Sequence, residues 1–163
     1  MVCPPPSFER KLHDPARVAT IVRALPRPLV FTNGVFDVLH RGHATYLAQA
    51  RVQGSSLVVA LNTDASTRRL GKGSDRPVNT LEDRAALIAA LEAVDIVTWF
   101  DQDTPLDLIK LIKPDILIKG GDWKSADIVG ANEVRGWGGE VLSIPFLHQK
   151  STTALLEKIR KTS

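Results

Sequence analysis

Cysteine is nearly absent: Cys3 is the only one among 163 residues. That excludes an intrachain disulfide and a thiolate metal cluster, and it fits a reducing compartment. Aromatic residues make up 6% of the chain, too few to interleave a basic face into a nucleic-acid surface. No apolar run approaches the roughly 18 residues of a membrane span. The first thirty residues, with Pro4, Pro5 and Pro6 and charges throughout, lack the apolar stretch of a secretory signal. Excess charge is also small, 21 Lys and Arg against 18 Asp and Glu, a net +3. These absences predict a cytoplasmic protein with no nucleic-acid or membrane partner.

What is present describes one ordinary domain. A hydrophobic fraction of 44% and a charged fraction of 24% are those of a soluble globular fold with a single core. The positive charge is concentrated. Arg68, Arg69, Lys72 and Arg76 stand against Asp75, and Lys150, Lys158, Arg160 and Lys161 stand against Glu157. Two such segments point to an anionic ligand, although solvated surface charge is the plainer explanation of either alone.

The chain alternates between strands and helices. Residues 1–13 read as a loose arm because three consecutive prolines oppose helix and ladder alike. Asp14 and Pro15 then open a short helix carrying Val18, Ile21, Val22 and Leu25 on one face. Residues 1–27 thus form an arm and short helix ahead of a domain over 28–163. Buried strands are predicted at Leu29–Phe31, Leu57–Leu61, Ile96–Phe100, Ile116–Ile118 and Val141–Ile144. Helices fall at about 41–52, at 80–91 behind a Thr80 cap, at 104–112 and at 153–161, with 62–79 a long polar loop. All-apolar strands joined by helices predict a single doubly wound parallel α/β sheet, Rossmann-like, with helices on both faces. Its ligands would gather at the carboxyl ends of the strands.

The densest chemistry lies where the first strand meets the next helix, in Thr32-Asn33-Gly34-Val35-Phe36-Asp37-Val38-Leu39-His40-Arg41-Gly42-His43. Two histidines three apart at a helix start can aim both rings at an anion over the helix N-terminus, and Gly42 lets that ligand approach the backbone. A zinc pair and plain helix-start histidines are the competing explanations. Neither GxGxxG nor GxxxxGK[ST] occurs. Near the end, Ser151-Thr152-Thr153 offers hydroxyls and amides at a helix start. Lys119-Gly120-Gly121-Asp122-Trp123 follows an apolar strand, where a lysine and two glycines can hold a second phosphate. Asn62 and Asp64 could bond sugar hydroxyls or form an Asx turn.

The run FTNGVFDVLHRGH resembles the HxGH signature of the nucleotidyltransferase superfamily. Residues 29–161 more closely resemble its heptose 1-phosphate adenylyltransferase branch, through LNTDAS at 61–66, RPVN at 76–79, LEAVD at 91–95, DILIKGGDW at 115–123 and STT at 151–153. The resemblance implies transfer of AMP from ATP to a heptose 1-phosphate, with Mg²⁺ carried mainly by the triphosphate and no protein metal site. It implies that His40, His43, Lys72 and Arg84 are catalytic. The nucleotide would be bound by Thr32, Asn33, Gly34, Phe36, Asp37 and Gly42, together with Lys119, Ser151, Thr152 and Thr153. Asn62, Asp64, Arg76, Gly120, Gly121, Asp122 and Trp123 would hold the sugar phosphate. The loop Arg69-Leu70-Gly71-Lys72-Gly73 is one residue longer than in relatives, which leaves the register of Lys72 open. A homo-oligomer is also implied, as is a separate heptose kinase earlier in the pathway.

Rival functions remain at this level. A cytidylyltransferase acting on glycerol 3-phosphate or ethanolamine phosphate would share the HxGH run and the closing hydroxyl triplet. A non-catalytic nucleotide- or RNA-binding module would bind without turnover, and a zinc hydrolase would use His40 and His43 as ligands.

Overall fold

The computed structural model describes residues 4–71, 75–148 and 152–162. Five strands form one parallel sheet: β1 (Leu29–Gly34), β2 (Ser56–Asn62), β3 (Ile96–Phe100), β4 (Ile116–Gly120) and β5 (Glu140–Ile144). Their order is β3-β2-β1-β4-β5, so the winding reverses between β1 and β4.

Alternation along the strands sorts the core into two layers. Leu29, Phe31, Val58, Ala60 and Leu117 face one side, where α1 (Pro15–Val22), α5 (Leu106–Ile112) and α6 (Ala131–Gly136) bury Val18, Ile109 and Val134 against them. Val30, Leu57, Val59, Leu61 and Ile118 face the other side and meet Leu47 and Ala50 of α2 (Arg41–Arg51) and Ile88 of α4 (Leu81–Ala89). Each fully buried Leu, Ile or Phe contributes about 1.5–3 kcal/mol. With both faces covered, the strands have no polar side, which is why they read as continuous apolar runs.

Carboxylates fix where two strands begin. Asp115 Oδ2 accepts from Leu29 N–H at 2.6 Å, and Asp95 Oδ2 accepts from Leu57 N–H at 2.8 Å. Caps fix the helices in the same way: Asp14 accepts from Ala16 N–H ahead of Pro15, and Thr80 Oγ1 accepts from Asp83 N–H.

Three features depart from the sequence reading. The leading segment is no loose arm over its described part. Ser7–Lys11 forms a 3₁₀ turn, Leu12 bridges to Val97, and His13 N–H donates to Val97 O at 2.9 Å. This pairing covers the outer edge of β3, which would otherwise present unpaired backbone groups. The predicted loop after β2 contains α3 (Asp64–Arg69), capped by Thr63, whose side chain accepts from Ser66 N–H. The third is α6, which lies between the KGGDW segment and β5.

Candidate active site

The carboxyl ends of β1 and β4 open onto two adjoining cavities of about 590 and 370 Å³. The larger holds the histidines. Between Gly34 and α2 the chain turns through Phe36, whose φ of 50° is left-handed. A Cβ on Gly34 would lie 2.9 Å from the Phe36 ring, so that position admits no side chain without moving the ring. Phe36 in turn packs edge-on against His43, centroids 5.2 Å apart. His40 is the N-cap of α2 and His43 lies in its first turn. Their rings stack at 3.8 Å with planes 18° apart.

Burial, aided by the neighbouring His40, lowers the His43 pKa to about 4. Its Nδ1 is buried and has no hydrogen-bond partner among the described residues. At neutral pH His43 is therefore an uncharged imidazole, able to donate one hydrogen bond but not to supply permanent charge. Thr152 and Thr153, in the first turn of α7 (Thr152–Thr162), line the same cavity. Two helix starts thus border one polar space, each with backbone amides that have no partner within the helix.

Asp37 ties this turn to the RPVN segment. Its carboxylate accepts from Val78 N–H at 2.8 Å, from Asn79 N–H at 3.0 Å and from Arg76 Nε–H, while Asn79 Nδ2 donates to Asp37 O at 2.7 Å. Burial alone would raise the Asp37 pKa; the two amides and the Arg76 guanidinium outweigh it and hold the carboxyl below its ordinary value. Arg76, itself buried, lines the larger cavity rather than the smaller.

The structure distributes the expected site residues unevenly. Gly34, Lys119 and Trp123 border both cavities. Phe36, Asp37, His40, His43, Arg76 and Gly120 border only the larger; Asn33 and Asn62 border only the smaller. Gly121 and Asp122 line neither. Gly42 lies beneath the His40 ring and is not itself part of a wall. Lys72 and Ser151 fall outside the described residues.

Three of the expected site residues lie away from the cavity walls. Thr32 is fully buried, shares a 2.6 Å hydrogen bond with the Tyr46 hydroxyl beneath the floor and lines neither cavity. Arg84 is fully buried on α4; its guanidinium donates to Val35 O at 2.7 Å, Asn62 O at 2.9 Å, Asn79 O at 3.1 Å and Asp64 Oδ1 at 2.7 Å. It therefore braces the ends of β1 and β2 and lines neither cavity. Asp64 is committed to Arg84 and lines neither cavity as well.

Sequence reasoning missed the walls supplied by Tyr46 and Phe146 in the larger cavity and by Phe100, Asp103, Thr104 and Asp127 in the smaller. A signal for the latter existed: Asp101-Gln102-Asp103-Thr104 follows β3, and polar residues after a parallel strand belong to the crevice. Among the described residues no group of three or more His, Cys, Asp or Glu side chains could hold a metal ion.

Comparison with known proteins agrees with this geometry. The cytidylyltransferase-like family model matches residues 31–157. The D-beta-D-heptose 1-phosphate adenylyltransferase of Bordetella bronchiseptica is 57% identical over 156 residues, covering 94% of this chain and 96% of that protein. The bifunctional protein HldE of Hahella chejuensis is 56% identical over 139 residues, 85% of this chain but 29% of that longer protein. Among solved structures, the lipopolysaccharide core biosynthesis protein of Thermoplasma volcanium superposes with a TM-score of 0.62 at 29% identity, covering 75% of this chain and 98% of that one. Pantothenate synthetase of Thermus thermophilus shares the fold, with a TM-score of 0.60 at 20% identity over 89% of this chain and 68% of that one. With most of its length matched in both ways, the chain belongs to the cytidylyltransferase-like family and, within it, to the family of the D-beta-D-heptose 1-phosphate adenylyltransferases.

Proposed function

We infer that the chain is a nucleotidyltransferase that moves AMP from ATP to D-glycero-beta-D-manno-heptose 1-phosphate, releasing pyrophosphate and giving ADP-heptose for lipopolysaccharide core or another heptose-containing surface glycan. The observation that carries this reading is the stacked His40–His43 pair at the start of α2, facing a cavity that the start of α7 also borders. The 57% identity to the Bordetella protein supplies the substrate class.

In the reaction an oxygen of the sugar phosphate attacks the α-phosphorus, the bond from that phosphorus to the bridging oxygen breaks, and pyrophosphate leaves with the electron pair. The attacking oxygen is already anionic near neutral pH, so the protein's work is positioning and charge stabilisation rather than proton removal. The triphosphate lies in the larger cavity, against His40, His43, Arg76 and the amides of α2 and α7. Uncharged His43 donates to an oxygen of the α-phosphoryl group, where negative charge grows. Mg²⁺ brought with ATP would offset triphosphate charge, while His40, His43 and Arg76 face the same cavity. The sugar phosphate lies in the smaller cavity, with Asn62, Asp103 and Thr104 within reach of hydroxyls and Phe100 forming an apolar wall.

The sugar 1-phosphate comes from a kinase step outside residues 1–163. Family resemblance also supports a homo-oligomer and a cytoplasmic location; among the described residues no helix is long and apolar enough to cross a membrane. The deciding experiment is pyrophosphate release with ATP or CTP crossed against heptose 1-phosphate, glycerol 3-phosphate and ethanolamine phosphate. Turnover confined to ATP with the heptose phosphate is expected. Preference for CTP with either smaller phosphate would replace this reading with the cytidylyltransferase one.

A further inference from the structure

We propose that Lys119 touches both reacting phosphates, the entering sugar phosphate and the α-phosphoryl group of ATP, and is a catalytic residue of the transfer rather than a nucleotide-binding one alone. The inference rests on the assignment of the two cavities above and adds the residue that joins them.

Its basis is where charge can be found along the boundary. Among the described residues four border both cavities: Gly34, Val35, Lys119 and Trp123. Of these, only Lys119 is charged, and the Trp123 indole N–H is already donated to Gly120 O at 3.1 Å. Lys119 stands near the end of β4, one step beyond the Thr32–Ile118 pairing that joins β4 to β1. Its Nζ lies 3.4 Å from both Asn33 O and Asn33 Oδ1, longer than a normal hydrogen bond. These contacts place the ammonium at the partition.

The smaller cavity needs this cation. Its other ionisable wall groups are the carboxylates Asp103 and Asp127, and Asp103 is paired with Arg69 at 2.7 Å. A phosphate entering between two carboxylates is repelled by both, and Lys119 is the only lysine or arginine among the described residues of that wall. The larger cavity has a second permanent cation, Arg76, paired there with Asp37 and absent from the smaller. The two cations therefore divide the work: Arg76 serves the triphosphate and its pyrophosphate, whereas Lys119 serves the phosphorus under attack and the oxygen attacking it. A cation between two converging anions gains most when they are closest, so it favours the transition state over either bound substrate.

The test compares Lys119→Met, Lys119→Arg and Arg76→Gln in the full chain, each first checked by thermal melting. Calorimetry measures the affinity of a nonhydrolysable ATP analogue alone, then of heptose 1-phosphate for the analogue complex; rapid quench measures the single-turnover rate with both substrates saturating. For Lys119→Met, both affinities fall tenfold or more and the saturated rate falls about a hundredfold, with Lys119→Arg recovering part of each. Arg76→Gln weakens only the analogue. A Lys119→Met protein that loses affinity for one ligand alone, or keeps its saturated rate, overturns the shared role. If that variant does not fold, Lys119→Arg decides: its longer, bulkier head lowers the saturated rate if the ammonium is shared, and an unchanged rate overturns the proposal. A wild-type protein that releases no pyrophosphate overturns the functional reading instead.

Discussion

Gly42 lies directly under the imidazole of His40: a Cβ at Gly42 would sit 3.0 Å from both Cε1 and Nδ1 of that ring and 3.2 Å from the carbonyl oxygen of His148. The contact is closer than side chains ordinarily accept, and the ring is the part best able to yield. Gly42→Ala is therefore expected to leave the fold intact, within about 1 kcal/mol by urea unfolding, while turning His40 out of register with His43. The ring need yield only a few tenths of an ångström, so the rate should fall by less than the roughly hundredfold that a misplacement of about 1 Å costs. Pyrophosphate release near the wild-type rate in Gly42→Ala would mean that the position of the His40 ring is not required.

His43 makes stability depend on pH in a definite direction. Its folded pKa of about 4 lies below the ordinary 6.5, so the unfolded chain takes up the proton first. Stability is lost as pH falls from about 6.5 towards 4. His13 is shifted the same way, by burial and by Arg17, so the wild-type profile contains both contributions. His43→Asn keeps a small polar side chain and removes one titration. Its melting temperature should fall less steeply across that window; parallel profiles for variant and wild type would contradict a buried, neutral His43.

Arg84 should act on stability before chemistry. Removing a buried charged side chain that satisfies three carbonyls and a carboxylate costs roughly 3–5 kcal/mol. Arg84→Met should lose about that much in urea unfolding, and Arg84→Lys should recover only part, since an ammonium cannot span four acceptors in a planar fork. A variant that unfolds normally yet binds ATP poorly would restore Arg84 to the ligand-contacting set.

How far the sequence reveals this molecule depends on the range over which each feature is encoded. The five strands are legible because burial on both faces writes each as an apolar run, and Asp14 and Thr80 mark helix starts through local caps. The His40–His43 pair is legible because glycine, two imidazoles and a strand end lie within a dozen residues. Helix α3 is not: Asp64–Arg69 has no apolar stripe, and its buried face consists of Ser66 and Thr67. Helix α6 has only six residues and ends in glycine. The burial of Arg84 is not legible for another reason. Sequence shows a cation on a helix beside a phosphate-binding motif, but its direction is fixed by Val35 and Asn62, which are 49 and 22 residues away. The division into two cavities depends on the register of β1 against β4 and on loops after three strands, so no local pattern records it.

The reversal of winding between β1 and β4 sets two cavities side by side whose walls come largely from different strand ends. The larger cavity is built mainly from the β1–α2 turn, Arg76 and the first turn of α7, whereas the smaller draws on Asn62, on the chain after β3 at Asp103, Thr104 and Pro105, and on Asp127 to Val129 after β4. The loop after β3 can change length and composition without disturbing the imidazoles, whereas the chain after β2 is held to their turn by the bonds of Arg76, Val78 and Asn79 to Asp37. Such an arrangement lets one activation chemistry be retargeted to a new recipient by rewriting a single flank of the domain.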